Sequence, residues 1–297
     1  MSDARSVVVI GDALIDEFRN GTDVERFAGG AALNVAVGLG VLGIRSTLIG
    51  MVGADVDGEL VREHLRSFDV GFLATIGDRG TSVAVSDRTN GEPVYVFNDA
   101  ARHRRIEFDG AQREAIAAAD FIVVTCFPFD DEEQACRLAD SIRHSRGRVI
   151  IDPNPRSGML HDRSAFVRGF EQLAGLSLLT KLGEEDAALL YGQALSPVRD
   201  HLLHVGAAVV LATRGANGAD VSTATGVQAR ADIAVLPGPI VDTMGAGDAC
   251  LAAFVAALAS GSEVPPIQWG RILDEAMLIA ATTCRHEGAL LRLPEPV

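Results

Sequence analysis

Residues 241–260 read VDTMGAGDACLAAFVAALAS. From Ala249 onward every residue is small or apolar over a helical length, and Gly245, Ala246 and Gly247 stand directly ahead of Asp248. Small residues at a helix start let backbone N–H groups approach an anion, and the aligned peptide dipoles favour negative charge there. A carboxylate set inside such a site repels phosphate. Asp248 therefore makes chemical sense as the acceptor of a proton from a hydroxyl that attacks phosphorus. The competing reading is a glycine-rich turn whose first helical turn carries an acid that suits the dipole. A dinucleotide G-x-G-x-x-G loop fits poorly, because Cys250 replaces the third glycine and the preceding segment is a weak strand.

Upstream of this stretch, short β-branched runs alternate with helical patterns. Val7–Gly11, Ser46–Gly50, Phe121–Cys126, Val149–Asp152, Ser177–Thr180 and Ala208–Thr213 have the length and apolar character of buried strands. Helical patterns cover Ala31–Leu42, Val56–Ser67, Asp131–His144, Arg163–Ala174, Glu184–Tyr191 and Pro197–Val205, and two Ala-rich helices, Ala246–Ser260 and Gln268–Cys284, follow. Such alternation predicts an α/β fold with a mainly parallel sheet, helices on both faces and ligands at the carboxyl ends of the strands. Thr81–Asp87 and Pro93–Asn98 instead alternate apolar and polar residues around Arg-Thr-Asn-Gly, a β-hairpin that is either an edge extension or a flap over a site.

Composition removes several function classes. The 297 residues carry 26 Lys plus Arg against 40 Asp plus Glu, a formal charge of −14, and Lys181 is the single lysine. A GxxxxGK[ST] phosphate loop is impossible, since Lys181 follows Thr180. The acidic balance argues against nucleic acid as a partner. A hydrophobic content of 48% with 22% charged residues excludes disorder. The longest apolar runs fall short of the roughly 20 residues of a membrane helix. The start, MSDARSVVVIGD, shows no secretory leader, and Cys126, Cys136, Cys250 and Cys284 lack CxxC spacing, so a soluble protein of the reducing cytoplasm is expected.

Asp242-Thr243-Met244-Gly245-Ala246-Gly247-Asp248 resembles the D-T-x-G-A-G-D signature of the ribokinase/PfkB carbohydrate kinase family. Gly29-Gly30-Ala31-Ala32-Leu33-Asn34-Val35-Ala36 resembles the family's N-terminal G-G-x-x-x-N-x-A motif, over 200 residues upstream. GDALIDEF, MVGADVDGEL, IDPNPR, LATRGANGA and CRHEGA are similar to further family elements, so the resemblance spans the chain. It implies a ribokinase-like three-layer α/β/α sandwich, residues 1–297 forming one domain, with a small β lid built from about 12–28 and 78–103. It also implies ATP-dependent transfer of a phosphoryl group to a primary hydroxyl of a small sugar. GDALID and DPNPR are nearest to bacterial fructokinases, with 2-keto-3-deoxygluconate and then ribose or a nucleoside as alternative substrates. A non-catalytic sugar or nucleotide sensor on the same fold is the alternative of another class.

On this resemblance Asp248 is the catalytic base, with Gly245, Ala246 and Gly247 as the backbone anion hole. Asp16 and Asn34 contact sugar hydroxyls, Asp12 adds a third contact, and Gly29 and Gly30 give the close approach beneath the sugar. Read alone, Asp16 is a solvated turn carboxylate and Asn34 a polar residue on a helix face. Arg156, ending DPNPR, reaches substrate or γ-phosphate, and Arg102, after the hairpin, closes over the sugar; as lone arginines both read as solvated ion-pair partners. Thr213, Gly215, Ala216 and Gly218 line the nucleotide, in what is equally a tight turn. Magnesium is implied, but Lys181-Leu182-Gly183-Glu184-Glu185-Asp186 departs from the family's N-x-x-E motif: Gly183 has no side chain, Asp186 has a shorter reach, and Glu185 is the stand-in. These acids also read as the first turn of a helix. A potassium ion is implied near Asp242, and a homodimer through the lid is expected. Lys181 is expected beside the acidic segment and outside the anion hole.

Overall fold

The computed structural model describes residues 5–20, 23–87, 94–261 and 268–294. The first strand, β1 (Val7–Gly11), leads into an antiparallel pair, β2 (Leu14–Asn20) and β3 (Asp23–Gly29), and then into helix α1 (Ala31–Val41). β4 (Ser46–Val52), α2 (Val56–Ser67) and β5 (Gly71–Ile76) follow, then β6 (Ser82–Asp87) and β7 (Val94–Phe97), antiparallel to each other. The Arg-Thr-Asn-Gly turn between them lies outside the described residues.

Short helices α3 (Asp99–Arg102) and α4 (Gly110–Ala118) precede a regular run of strand and helix: β8 (Phe121–Thr125), α5 (Glu132–Arg143), β9 (Arg148–Asp152), α6 (Arg163–Ala174), β10 (Leu179–Gly183) and α7 (Glu184–Tyr191). Then come α8 (Leu195–Val205), β11 (Val209–Thr213), β12 (Ala219–Thr223), β13 (Gly226–Ala231), α9 (Ala246–Ser260) and α10 (Trp269–Thr283).

Nine strands form one sheet in the order β13-β12-β11-β10-β9-β8-β1-β4-β5. It is parallel from β11 to β5, and β12 and β13 extend it antiparallel. Successive strand residues point to opposite faces. Val7 and Val9 thus join a core with Leu33, Leu39, Phe254 and Leu273 of α1, α9 and α10, while Val8 and Ile10 join another with Leu138, Phe170 and Leu202 of α5, α6 and α8. Burial on both faces explains why these strands read as unbroken apolar runs.

The strand expected at Ser177–Thr180 lies instead at Leu179–Gly183. Ser177 still belongs to the turn leaving α6, its hydroxyl donating to Ala174 O at 2.8 Å. The strand runs through Lys181 because Asp152 compensates the buried ammonium.

A smaller sheet, β3-β2-β6-β7, stands beside the large one. Leu14, Ala84 and Phe97 bury one side of it against Ala31, Ala101, Cys126 and Met159, whereas Val24, Phe27 and Val96 are about half exposed. Hydrogen bonds fasten it to α2: Arg26 donates to both oxygens of Asp57 at 2.8 and 2.9 Å, and Thr81, just ahead of β6, donates from N to Asp55 Oδ2 at 2.8 Å and from Oγ1 to Asp55 Oδ1 at 2.5 Å. Asp55 also caps α2, accepting from Gly58 N at 2.8 Å.

In the large sheet β1 lies between β4, the next parallel strand of the chain, and β8, from which the chain proceeds in the other direction. A cleft at the carboxyl ends is expected at such a reversal of strand order.

Candidate active site

The carboxyl ends of β1, β8, β9 and β10 and the starts of α1 and α9 converge on one group of charged residues. Asp12 follows β1 directly; its Oδ1 accepts from Ala32 N at 3.0 Å and its carbonyl from Leu33 N at 3.3 Å, satisfying amides at the start of α1. Gly30, the residue before that helix, has φ of 107°, and a Cβ there would lie 2.9 Å from Asp12 O. At Gly29 a Cβ would stand 2.0 Å from Asp16 Oδ2, so this glycine is what lets the β2 carboxylate sit at the entry to α1. Asp16 is half-buried; burial, then the charge of Asp12, pushes its pKa up to about 7 against the pull of Arg156.

Asn34, one turn into α1, donates from Nδ2 to Asp248 Oδ2 at 2.8 Å. Asp248 lies in the first turn of α9 and is 7% exposed. Burial pushes its pKa up to about 6, against the Asn34 hydrogen bond and the charges of Arg156 and Lys181. Ahead of it Gly245 has φ of 73°, and a Cβ there would come within 2.6 Å of Ala289. A side chain at 245 is therefore excluded by both backbone conformation and space. Ala246 N donates to Thr243 O at 3.3 Å, whereas the amides of Gly247 and Asp248 have no such backbone acceptor among the described residues ahead of the helix, which leaves an anion-binding start.

Arg156 is open to solvent but faces the acids. Desolvation works against its charge, and the carboxylates of Asp248, Asp12 and Asp186 outweigh it and raise its pKa. Arg102 stands apart on α3, exposed, with its carbonyl 2.8 Å from His161 Nε2.

Lys181 lies beside the acidic segment as expected, but not outside the anion-binding turn. Its Nζ donates to Asp152 Oδ2 at 2.7 Å and lies 3.5 Å from the position a Cβ would take on Gly247. The only lysine is therefore at the anion-binding turn and not away from it. Desolvation opposes its charge, but Asp152 and Asp186 more than offset this and raise its pKa. Two carboxylates flank it. Asp152 is fully buried and its Oδ1 has no hydrogen-bond partner. Asp186 is shifted upward by burial and by Asp152, with Lys181 pulling back. Its Oδ2 accepts from Gly183 N at 2.7 Å, so the acid also closes the start of α7. Glu185 is exposed. Among the described residues no cluster of three or more His, Cys, Asp or Glu side chains forms a metal cage.

Asp152 and Lys181 lie inside quoted motifs, but motif reading gave neither a role at the site. The available signal was polar: an acid closes the apolar strand VIID and a lysine interrupts LLTKLG.

Thr213, Gly215, Ala216 and Gly218 sit in the turn from β11 to β12, separate from the Asp248 cluster but along the same carboxyl edge. Gly215 and Gly218 have φ of 48° and 77°, and a Cβ on Gly218 would meet Ala231 O at 2.1 Å. Asp242 Oδ1 accepts from Met244 N at 3.0 Å and its Oδ2 from Gly288 N at 3.3 Å, tying the segment before α9 to the one after α10.

A buried carboxylate at an anion-binding helix start, with a lysine and an arginine beside it, can take a proton from a hydroxyl while cations hold a phosphoryl group. The chain is 27% identical to a fructokinase of Rhizobium leguminosarum bv. trifolii, over 97% of this chain and 90% of that protein. It is 30% identical to an ATP-dependent ribose-1-phosphate kinase of Halopiger xanaduensis, over 88% and 81%. Among solved structures, a fructokinase with bound ATP from Xylella fastidiosa superposes with a TM-score of 0.82 at 21% identity, covering 96% of this chain and 94% of that one. An aminoimidazole riboside kinase from Salmonella enterica gives 0.78 at 22%, covering 96% and 95%. These two likenesses establish the ribokinase-like fold. The model of the pfkB family carbohydrate kinases matches residues 4–295, so that this constellation, fold and chain length together make the protein a member of the pfkB family and a carbohydrate kinase.

Proposed function

We propose that the protein is an ATP-dependent kinase that phosphorylates a primary hydroxyl of a small sugar, with fructose as the leading substrate. The observation that carries this reading is the Asn34–Asp248 hydrogen bond, which joins the sugar-side and phosphate-side motifs in one site. Relatives named fructokinase, at 27% and 29% identity over 97% of this chain, support fructose.

Asp16 and Asn34 orient the sugar hydroxyls, with Asp12 behind them and Gly29 and Gly30 keeping the approach open. Asp248 accepts the proton of the attacking hydroxyl. The amides at Gly245, Ala246 and Gly247 receive the transferring phosphoryl group, with Lys181 and Arg156 as the cations on either side. Arg102 closes from the rim, and Thr213, Gly215, Ala216 and Gly218 line the nucleotide.

The donor set fits magnesium carried mainly by the nucleotide: hard carboxylate oxygens at Asp152 and Asp186 stand near the anion turn, one of them unpartnered. When bound, the metal would offset charge on the phosphates, with Asp186 reaching it through water and Glu185 from the rim. A potassium ion beside Asp242 completes the cofactors proposed. The smaller sheet acts as a lid on a single domain, and its exposed apolar face pairs with a second copy in a cytoplasmic homodimer.

An assay of ADP release across fructose, ribose, 2-keto-3-deoxygluconate and nucleosides tests the reading. Turnover greatest with fructose is expected. Turnover with another of these reassigns the substrate. Silence with every acceptor, while fructose or ATP still binds, would identify a sensor instead.

A further inference from the structure

Behind the turn that carries Thr213–Gly218 lies a buried charge cluster that the proposed chemistry does not use. Asp220, on β12, is completely buried. Its Oδ1 accepts from Ser222 Oγ at 2.9 Å and from Arg199 Nη1 of α8 at 3.3 Å, and its Oδ2 accepts from Arg214 Nη2. Arg199 is also paired with the exposed Asp200, at 2.8 Å. The sheet has no need of this carboxylate: Ala219 and Val221, its neighbours on β12, are ordinary core residues. Taking such a charge out of water is costly unless its hydrogen bonds are complete, and here they are.

Arg214 is where the cluster meets the turn. Its N–H donates to Gly218 O at 2.8 Å, and its carbonyl accepts from Asn217 N at 2.8 Å, so its backbone closes the loop. Its side chain runs back to Asp220. Gly215 and Gly218 supply no side-chain anchor, and the Thr213 hydroxyl reaches Leu182 O only at 3.5 Å. Beyond the β11–β12 ladder at its base and its own backbone hydrogen bonds, the 214–218 turn is tied to the sheet by one side-chain link, the Arg214 guanidinium on the buried Asp220 carboxylate.

We infer that Asp220 is a positioning residue for the nucleotide: acting through Arg214, and without touching the ligand, it holds the 213–218 turn in the shape that receives ATP. This rests on the nucleotide reading of that turn. Arg199 has a different part. It neutralises the second carboxylate oxygen and contributes to stability without steering the turn.

The test measures Kd for ADP by titration calorimetry, together with thermal stability, in the full chain. Asp220→Asn and Arg214→Gln are each expected to weaken ADP by about 2- to 30-fold, the range found for residues that couple to a site without contacting ligand. The double variant should be no weaker than either alone, because both remove one link. Arg199→Gln should melt earlier yet keep its ADP affinity. Full additivity in the double variant overturns the inference, and so does an Arg199→Gln that loses affinity as Arg214→Gln does. Should Asp220→Asn fail to fold, the contrast between Arg214→Gln and Arg199→Gln decides alone. Thr213→Val and Gly215→Val separate the two levels. If both leave ADP affinity unchanged, the turn is not the nucleotide site and both readings fall. If they weaken it while Asp220→Asn and Arg214→Gln do not, only the positioning role falls.

Discussion

Asn34 and Asp248 are 214 positions apart in the chain, and the side-chain amide of the first donates to the carboxylate of the second at 2.8 Å. The bond has two effects. It fixes which Asp248 oxygen faces the sugar side, and it favours the ionised form against the burial that drives the pKa up.

Replacing Asp248 by Asn keeps this geometry and removes the proton acceptor. Turnover should fall by about 10²- to 10⁴-fold, with KM for sugar and ATP close to wild type. Stability should move the other way. The folded-state pKa, about 6, lies above the ordinary value of 3.8, so at pH 7 the folded chain holds a costly ionised carboxylate that the unfolded chain holds freely. The Asn variant should therefore melt higher at pH 7, by about 2–4 °C for each kcal/mol relieved, and the gain should vanish below about pH 4. Near-native turnover would sink the mechanism.

The same shift sets a pH profile. Asp248 works as a base only when ionised, so kcat/KM for ATP at saturating sugar should fall on the acid side with a limb near pH 6. Asn34→Ala removes a donor to the carboxylate, and the limb should move to higher pH. A limb that stays in place would separate Asn34 from the ionisation of Asp248.

Lys181 and Asp152 form a buried pair at 2.7 Å. Lys181→Met leaves the Asp152 carboxylate uncompensated and should cost about 3–5 kcal/mol in denaturant unfolding. Adding Asp152→Leu should recover most of that stability while turnover stays low, because the ammonium beside Gly247 is still missing. Recovery of turnover along with stability would make the pair purely structural.

At Gly29 an added methyl would fall 2.0 Å from Asp16 Oδ2. Gly29→Ala should displace that carboxylate and raise KM for the sugar by about 10-fold or more, the loss of one charged hydrogen bond, and leave KM for ATP alone. Equal changes in both KM values would point to general damage of α1.

Phe27 and Val24 on the smaller sheet are 52% and 54% exposed. Wild-type protein at micromolar concentration should scatter light as a dimer, and Phe27→Glu should scatter as a monomer. A wild-type monomer would remove the proposed pairing.

Much of this architecture can be read directly from the chain. Val56–Ser67, Arg163–Ala174, Glu184–Tyr191 and Ala246–Ser260 fold as helices over the residues their periodicity predicts. β13, GVQARA, was not legible because it is a largely exposed edge strand with little apolar signal. Asp220 escaped notice because an acid in the run ADVST looks like a solvent-facing strand residue until the arginines from α8 and the 214 turn are seen over it. Lys181 stands beside the acidic segment as expected, with Asp186 next to it, but its place at the anion turn was not legible. Parallel strands bring their carboxyl ends together, which sets Asp152 of β9 and the start of α9 against it.

The burial of that lysine reaches beyond the phosphate site. With every other basic residue an arginine, the folded surface has no side-chain amine to acylate, crosslink through, or conjugate with a ubiquitin-like modifier. The side chain that carries the one ε-amine is 8% exposed, and the amine is already held by a carboxylate. An amine-reactive probe at this residue therefore reports a single event, the opening of the Asp152–Lys181 pair, and its labelling rate measures how often the centre of the molecule comes apart.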